Sequence, residues 1–186
     1  MAKTKIDLSE EAAERRVNMV LDGVMNGIFL TLISDARAEE MQLKDRLETE
    51  ESPKILAACQ GEISGIRTLF QIMIDHNMID DFFFMQLTEP EFITDIHTTK
   101  DNDFDIAMAE IRELKSSRSW KTMEQEVSDV IEIKKGYLFY QAEKGRDLDL
   151  THGFRDGILR LRTRIGEFET EKRFRENSMP LFNGGK

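Results

Sequence analysis

Glu110-x-x-Glu113 and Glu126-x-x-Asp129 are the residues best spaced for chemistry. Carboxylates three apart share a helix face, and two such faces turned toward each other can hold hard cations that offset phosphoryl charge. Composition competes with that reading. Of 186 residues, 36 are Asp or Glu, so such pairs arise by frequency alone, and Glu11-x-x-Glu14 and Glu48-x-x-Glu51 repeat the spacing. His76, His97 and His152 form no HExxH or His-x-His element. Asp149 is the only carboxylate three residues ahead of a histidine, whereas a bundle-type di-iron centre needs paired Glu-x-x-His elements and further carboxylates. Asp101, Asp103 and Asp105 copy the start of a calcium loop, but Ile106 replaces its glycine and Arg112 its bidentate glutamate, so they read as helix-start acids. Cys59 stands alone in ILAACQGEI, reads as a small buried residue, and excludes an internal disulfide or multi-cysteine zinc site. On these grounds no catalytic, cofactor-binding or metal-ligating residue is assigned.

The elements that must position these groups are helical. Ser9 ahead of Glu10 and Glu11 is a helix start, and Ala13, Val17, Val20, Val24 and Ile28 recur on one face. The charged stretch from Ser34 to Glu51 continues that helix to Ser52-Pro53, and Pro53 opens a second one reaching about Asp75. Met78 to Leu87 is densely apolar, Thr88 to Glu91 matches a capping box, and His97 to Asn102 reads as a loop. Asp103 is placed to cap a helix over Phe104 to Lys115. Ser116-Ser117 weakens the pattern, which resumes from about Trp120 to Glu143, and one last helix covers Leu148 to Arg175. No segment alternates as a strand would. The expectation is an all-α fold of long helical hairpins in an elongated bundle. Its divisions are an N-terminal helix with the first hairpin (1–75), a short-helix connector (76–118), a second hairpin (119–176) and a tail (177–186).

Three segments share a glycine pattern: Gly23-x-x-x-Gly27-Ile28, Gly61-x-x-x-Gly65-Ile66 and Gly153-x-x-x-Gly157-Ile158. Spacing of four puts both glycines on one face, where another helix can approach closely. Each interior glycine costs about 1 kcal/mol against alanine, so close contact must be gained in return. The pattern fits packing within one core or self-association, and the shared Leu69 and Leu161 point to a duplicated hairpin. Phe82, Phe83 and Phe84 cannot all face one side of a helix, which makes them a second candidate interface.

The formal charge is −10, with 26 Lys and Arg, and a largely acidic chain of this kind is a poor match for general nucleic-acid binding. Residues 1–100 carry 10 basic and 19 acidic groups, while residues 101–186 carry 16 and 17. Arg155, Arg160, Arg162 and Arg164 form a basic patch near the end, suited to electrostatic matching with the acidic part, within one molecule or between copies. The apolar tract Val17 to Ile33 is interrupted by Asn18, Asp22 and Asn26 and falls short of the roughly 20 residues of a bilayer span, so no membrane association is expected. The charged sequence after Met1 to Asp7 is unlike a signal peptide.

Two resemblances add to this. Glu110, Glu113, Glu126 and Asp129 resemble the ExxE and ExxD signature of all-α nucleoside triphosphate pyrophosphatases, which implies magnesium between two helices, although no base- or phosphate-recognition motif accompanies them. The arm Gln60-Gly61-Glu-Ile63-Ser-Gly65-Ile66-Arg67-Thr-Leu69, after a charged arm and short turn, resembles helical-hairpin proteins from the structural gene regions of tailed bacteriophages, which share a QG-x-I-x-G-[IL]-R-x-L arm. That resemblance covers about 40 residues, and the second hairpin departs from it at His152 and Arg155. It implies a non-enzymatic virion or assembly protein, made in the host cytoplasm and capsid-associated, that binds itself or a coat or connector protein. A transient assembly scaffold and the magnesium-dependent pyrophosphatase are the alternatives.

Overall fold

A computed structural model describes residues 27–79, 96–142 and 148–178. Among them are six α-helices, one 3-10 turn and no strand. The helices are α1 (Gly27–Thr49), α2 (Pro53–Asp75), α3 (Asp101–Ser116), α4 (Arg118–Ala142), α5 (Leu148–Ile158) and α6 (Arg160–Ser178), with the 3-10 turn at Ile96–Thr98. The all-α expectation stands, whereas the segments holding Gly23 and Phe82 to Phe84 lie outside the described residues.

Local chemistry sets most helix ends. Pro53 sits in the first turn of α2, where a missing N–H costs nothing. The other end of α2 closes in a Schellman motif. Asn77 takes a left-handed φ of 53°, Met78 N–H donates to the Met73 carbonyl at 2.8 Å and Asn77 N–H to Ile74 at 2.9 Å, while the Met78 side chain is fully buried. Ser117 alone separates α3 from α4, its hydroxyl accepting the Trp120 N–H at 3.2 Å. That serine moves the start of α4 back to Arg118 from the expected Trp120. α3 begins at Asp101 and not at an Asp103 cap, with Lys100 in the capping position.

A single final helix from Leu148 to Arg175 is corrected. The helix is interrupted at Leu159, two residues after Gly157, although Leu159 N–H still reaches the Arg155 carbonyl and Thr163 N–H the Leu159 carbonyl. One continuous core joins the elements. Phe29, Leu32 and Ile33 from α1, Ile66, Leu69 and Met73 from α2, Ile111 and Leu114 from α3, Trp120 from α4, Ile158 from α5 and Leu161 and Phe168 from α6 are all nearly inaccessible to solvent.

Arg175 clasps α6 to the start of α3. Its guanidinium donates to Glu171 at 2.8 Å, to Asp101 at 3.0 Å and to the Ile96 and Thr99 carbonyls, each at 3.0 Å, and lies 4.1 Å from the Phe104 ring centroid. His97 bonds the same Glu171 at 2.7 Å, and with Arg175 leading, these donors hold the Glu171 carboxyl below its ordinary value. Arg175→Lys keeps the charge but not the planar fork. It is expected to cost about 2 kcal/mol through the lost carbonyl and ring contacts, and to speed amide exchange selectively over residues 96–104 in hydrogen-exchange mass spectrometry.

Candidate functional site

The glycines of the second and third motif copies meet each other. A Cβ placed on Gly61 would lie 1.8 Å from the Leu150 carbonyl oxygen, and one on Gly65 2.2 Å from that of Phe154. Reciprocally, a Cβ on Gly153 would lie 2.0 Å from the Ala58 oxygen and one on Gly157 2.1 Å from that of Glu62. Backbone therefore packs on backbone from both sides, and all four positions are closed to any side chain. Later residues of α2 meet later residues of α5 in step, so the two helices run parallel. These glycine faces are thus filled within one chain. Gly27 differs: a Cβ there would come to 3.4 Å from a Glu110 side-chain oxygen.

The phage-like arm is built into this contact. Gly61 and Gly65 face α5, Ile63, Ile66 and Leu69 enter the core, and Arg67 crosses to Glu40 of α1. Glu40 is the less expected feature, a carboxylate only 1% exposed in a highly charged arm. It takes Arg67 Nε at 2.9 Å, Lys44 Nζ at 2.7 Å and Arg37 in a close pair. Burial pushes this carboxyl up, but hydrogen bonds from Lys44 and Arg67 together with the Arg37 charge hold it below its ordinary value.

The basic patch is largely spent inside the molecule. Arg160 pairs with Glu39 and reaches Glu62 at 3.8 Å, Arg164 pairs with Asp35 at 3.1 Å, and Arg162 reaches Glu124 at 3.5 Å. The acidic first half and basic end are therefore matched within one chain through α1, α2 and α6. Arg155 is exposed and makes no ion pair among the described residues. Glu62 shows the opposite effect to Glu40. Its burial, with Glu39 nearby, raises its carboxyl above the ordinary value despite Arg160.

The four acids with cation-binding spacing go to different partners. Glu110 accepts the Ile28 N–H of α1 at 2.7 Å, Glu126 pairs with His76 at the end of α2, Asp129 accepts from Gln125 at 2.9 Å, and Glu113 is exposed. Among the described residues no group of three His, Cys, Asp or Glu side chains is arranged to hold a metal ion. Cys59 is buried, and no described helix is long and apolar enough to cross a membrane. Neither a protein-family model, nor a curated protein, nor a solved structure matches the chain.

Gly61→Ala or Gly157→Ala forces a methyl into opposing backbone and is expected to cost about 3 kcal/mol or more by chemical denaturation. Gly166→Ala, on α6 where a Cβ would meet nothing within 4 Å, is expected to stabilise by about 0.5 to 1 kcal/mol.

The depressed Glu40 contributes stability above the ordinary carboxylate value, and that contribution is lost as pH falls through its lower folded value. The raised Glu62 works the other way, since its burial cost is relieved as pH falls through its raised folded value. Glu62→Gln is expected to raise the melting temperature at neutral pH and flatten the mildly acidic rise, whereas Glu40→Gln is expected to lower stability at neutral pH by about 2 to 4 kcal/mol and to remove the acid-side loss, both read in a pH series of thermal melts.

Proposed function

We propose that this chain is a non-enzymatic virion structural or assembly protein of a tailed phage, capsid-associated, which acts by helix-mediated contacts with copies of itself or with a coat or connector protein. The observation that carries the reading is the job done by each residue of the phage-like arm. Gly61 and Gly65 admit the α5 backbone, Ile63, Ile66 and Leu69 fill the core, and Arg67 neutralises a buried acid. Such an arm specifies a rigid helical body, which is what an assembly component needs and what a binding cleft does not require.

The acids that resemble a pyrophosphatase signature are employed at helix junctions, with Glu110 on the α1 backbone and Glu126 on His76. With Gly61, Gly65, Gly153, Gly157 and most of the basic patch used internally, contacts to other molecules fall to the outer helix surfaces. Among these, Ile106, Ile133, Leu148, Leu150 and Phe174 leave large apolar side chains exposed.

Mass spectrometry of purified particles is expected to find the chain at a stoichiometry fixed relative to coat protein. A chain confined to the unassembled fraction would favour a transient scaffold. Magnesium-dependent release of pyrophosphate from nucleoside triphosphates by the purified protein, lost in Glu113→Gln and Glu126→Gln variants, would overturn the non-enzymatic reading.

A further inference from the structure

The cleft between α4 and α5 gathers hydrogen-bond donors that lack acceptors. It encloses about 110 Å³ over Ile131 and Phe154, with Lys134 of α4 and Thr151, His152 and Arg155 of α5 around it. Among the described residues, Lys134 and Arg155 have no ion pair, and the Thr151 hydroxyl and His152 ring have no hydrogen-bond partner. Elsewhere the same groups are satisfied. The hydroxyls of Thr31, Thr68, Thr122 and Thr170 each donate to the carbonyl four residues earlier, and Arg160, Arg162 and Arg164 each reach a carboxylate.

Asp156 is the one carboxylate lining the cleft, and it lies close enough to Glu62 of α2 to help raise that carboxyl. Even with Asp156 counted in full, Lys134 and Arg155 leave the cleft positive, on a chain of net charge −10. The floor is firmly placed. Phe154 belongs to the α5 backbone that closes on Gly65, and its ring is buried with the Lys134 ammonium 4.6 Å from the centroid. A cation stationed by a ring and not by a carboxylate keeps its N–H donors available.

We propose that this cleft binds a phosphate group, as the free ion or as the phosphate of a small monoester, with Lys134 and Arg155 neutralising it and the Thr151 hydroxyl and His152 ring donating to its oxygens. The number and kinds of donor choose the ligand. A carboxylate is satisfied by the planar fork of one arginine, whereas a tetrahedral oxyanion carries more charge and offers acceptors on several sides. That suits a point-charge lysine from one helix with a guanidinium, a hydroxyl and an imidazole from the other. The small volume holds a compact head group and little beyond it. The virion reading does not require this site, so the two stand or fall separately.

The test is a titration of the full chain with inorganic phosphate, followed by backbone-amide and arginine side-chain NMR shifts at constant ionic strength, so that general screening stays fixed. Shifts are expected at Thr151 to Asp156 and at Arg155 Nε, saturating with a Kd of about 1 mM or tighter. Acetate is expected to bind at least about tenfold more weakly. Arg155→Gln and Lys134→Gln, both at exposed side chains, are each expected to weaken phosphate binding at least about fivefold, with the far-ultraviolet circular dichroism unchanged. Lys121→Gln removes an exposed cation of α4 outside the cleft and is expected to leave binding as it was.

Phenyl phosphate distinguishes the sources: its competition with inorganic phosphate extends the site to monoesters, its exclusion restricts the site to the free ion, and either result supports the proposal. Shifts that never saturate overturn it, as does binding that both cleft variants leave intact, an equal loss in Lys121→Gln, or acetate held as tightly as phosphate.

Discussion

Everything in this fold is hung on the line where α2 and α5 touch backbone to backbone. The contact has no side chains between its carbonyl oxygens and the opposing glycine carbons, so helix spacing and register are both set by hard-sphere limits. The remaining packing inherits that position. Ile66 and Ile158, each directly after a motif glycine, are fully buried beside the line of contact. The chain then passes through Leu159 into α6, which carries Arg160 and Arg164 to the acids of α1.

Glu40 shows how the same constraint reaches electrostatics. Once α2 is fixed, Arg67 is within reach of α1, and it brings a second-helix cation to a carboxylate already flanked by Arg37 and Lys44. A buried carboxylate with one partner would gain little over a well-packed apolar side chain. With three partners the desolvation cost is offset locally. The uneven charge of the two halves of the sequence is thereby resolved mostly inside the molecule.

The helical class and the extent of α2 were legible because proline and the apolar periodicity punctuate that part of the chain cleanly. The glycine motif was legible as a packing device, since four-residue spacing fixes a face irrespective of tertiary context. Its partner was not, because nothing in Gly61-x-x-x-Gly65 names Gly153-x-x-x-Gly157 over any other small-residue face, and the parallel direction of the pair follows from chain path. Glu40 was hidden among the many charges of its arm. The only available signal was that it stands within helical reach of both Arg37 and Lys44, a pattern equally common on solvated faces. Arg175 was lost for a related reason: its value comes from the Ile96 and Thr99 carbonyls, which no residue-type pattern records. The break at Leu159 escaped because both flanking segments keep good helix periodicity.

The parallel pairing of α2 with α5 also has a consequence in time. About ninety residues separate the two glycine faces along the chain. At a synthesis rate of about 5 to 20 residues per second, α2 emerges roughly 5 to 20 s before the surface that closes over it. Throughout that interval its flat glycine strip and the isoleucines beside it are open to whatever passes, including the same strip on a neighbouring nascent chain. Closing so distant a contact is also slow relative to local helix formation. The arrangement that makes the finished body rigid therefore leaves the α2 glycine strip without its α5 partner until synthesis has passed Gly157.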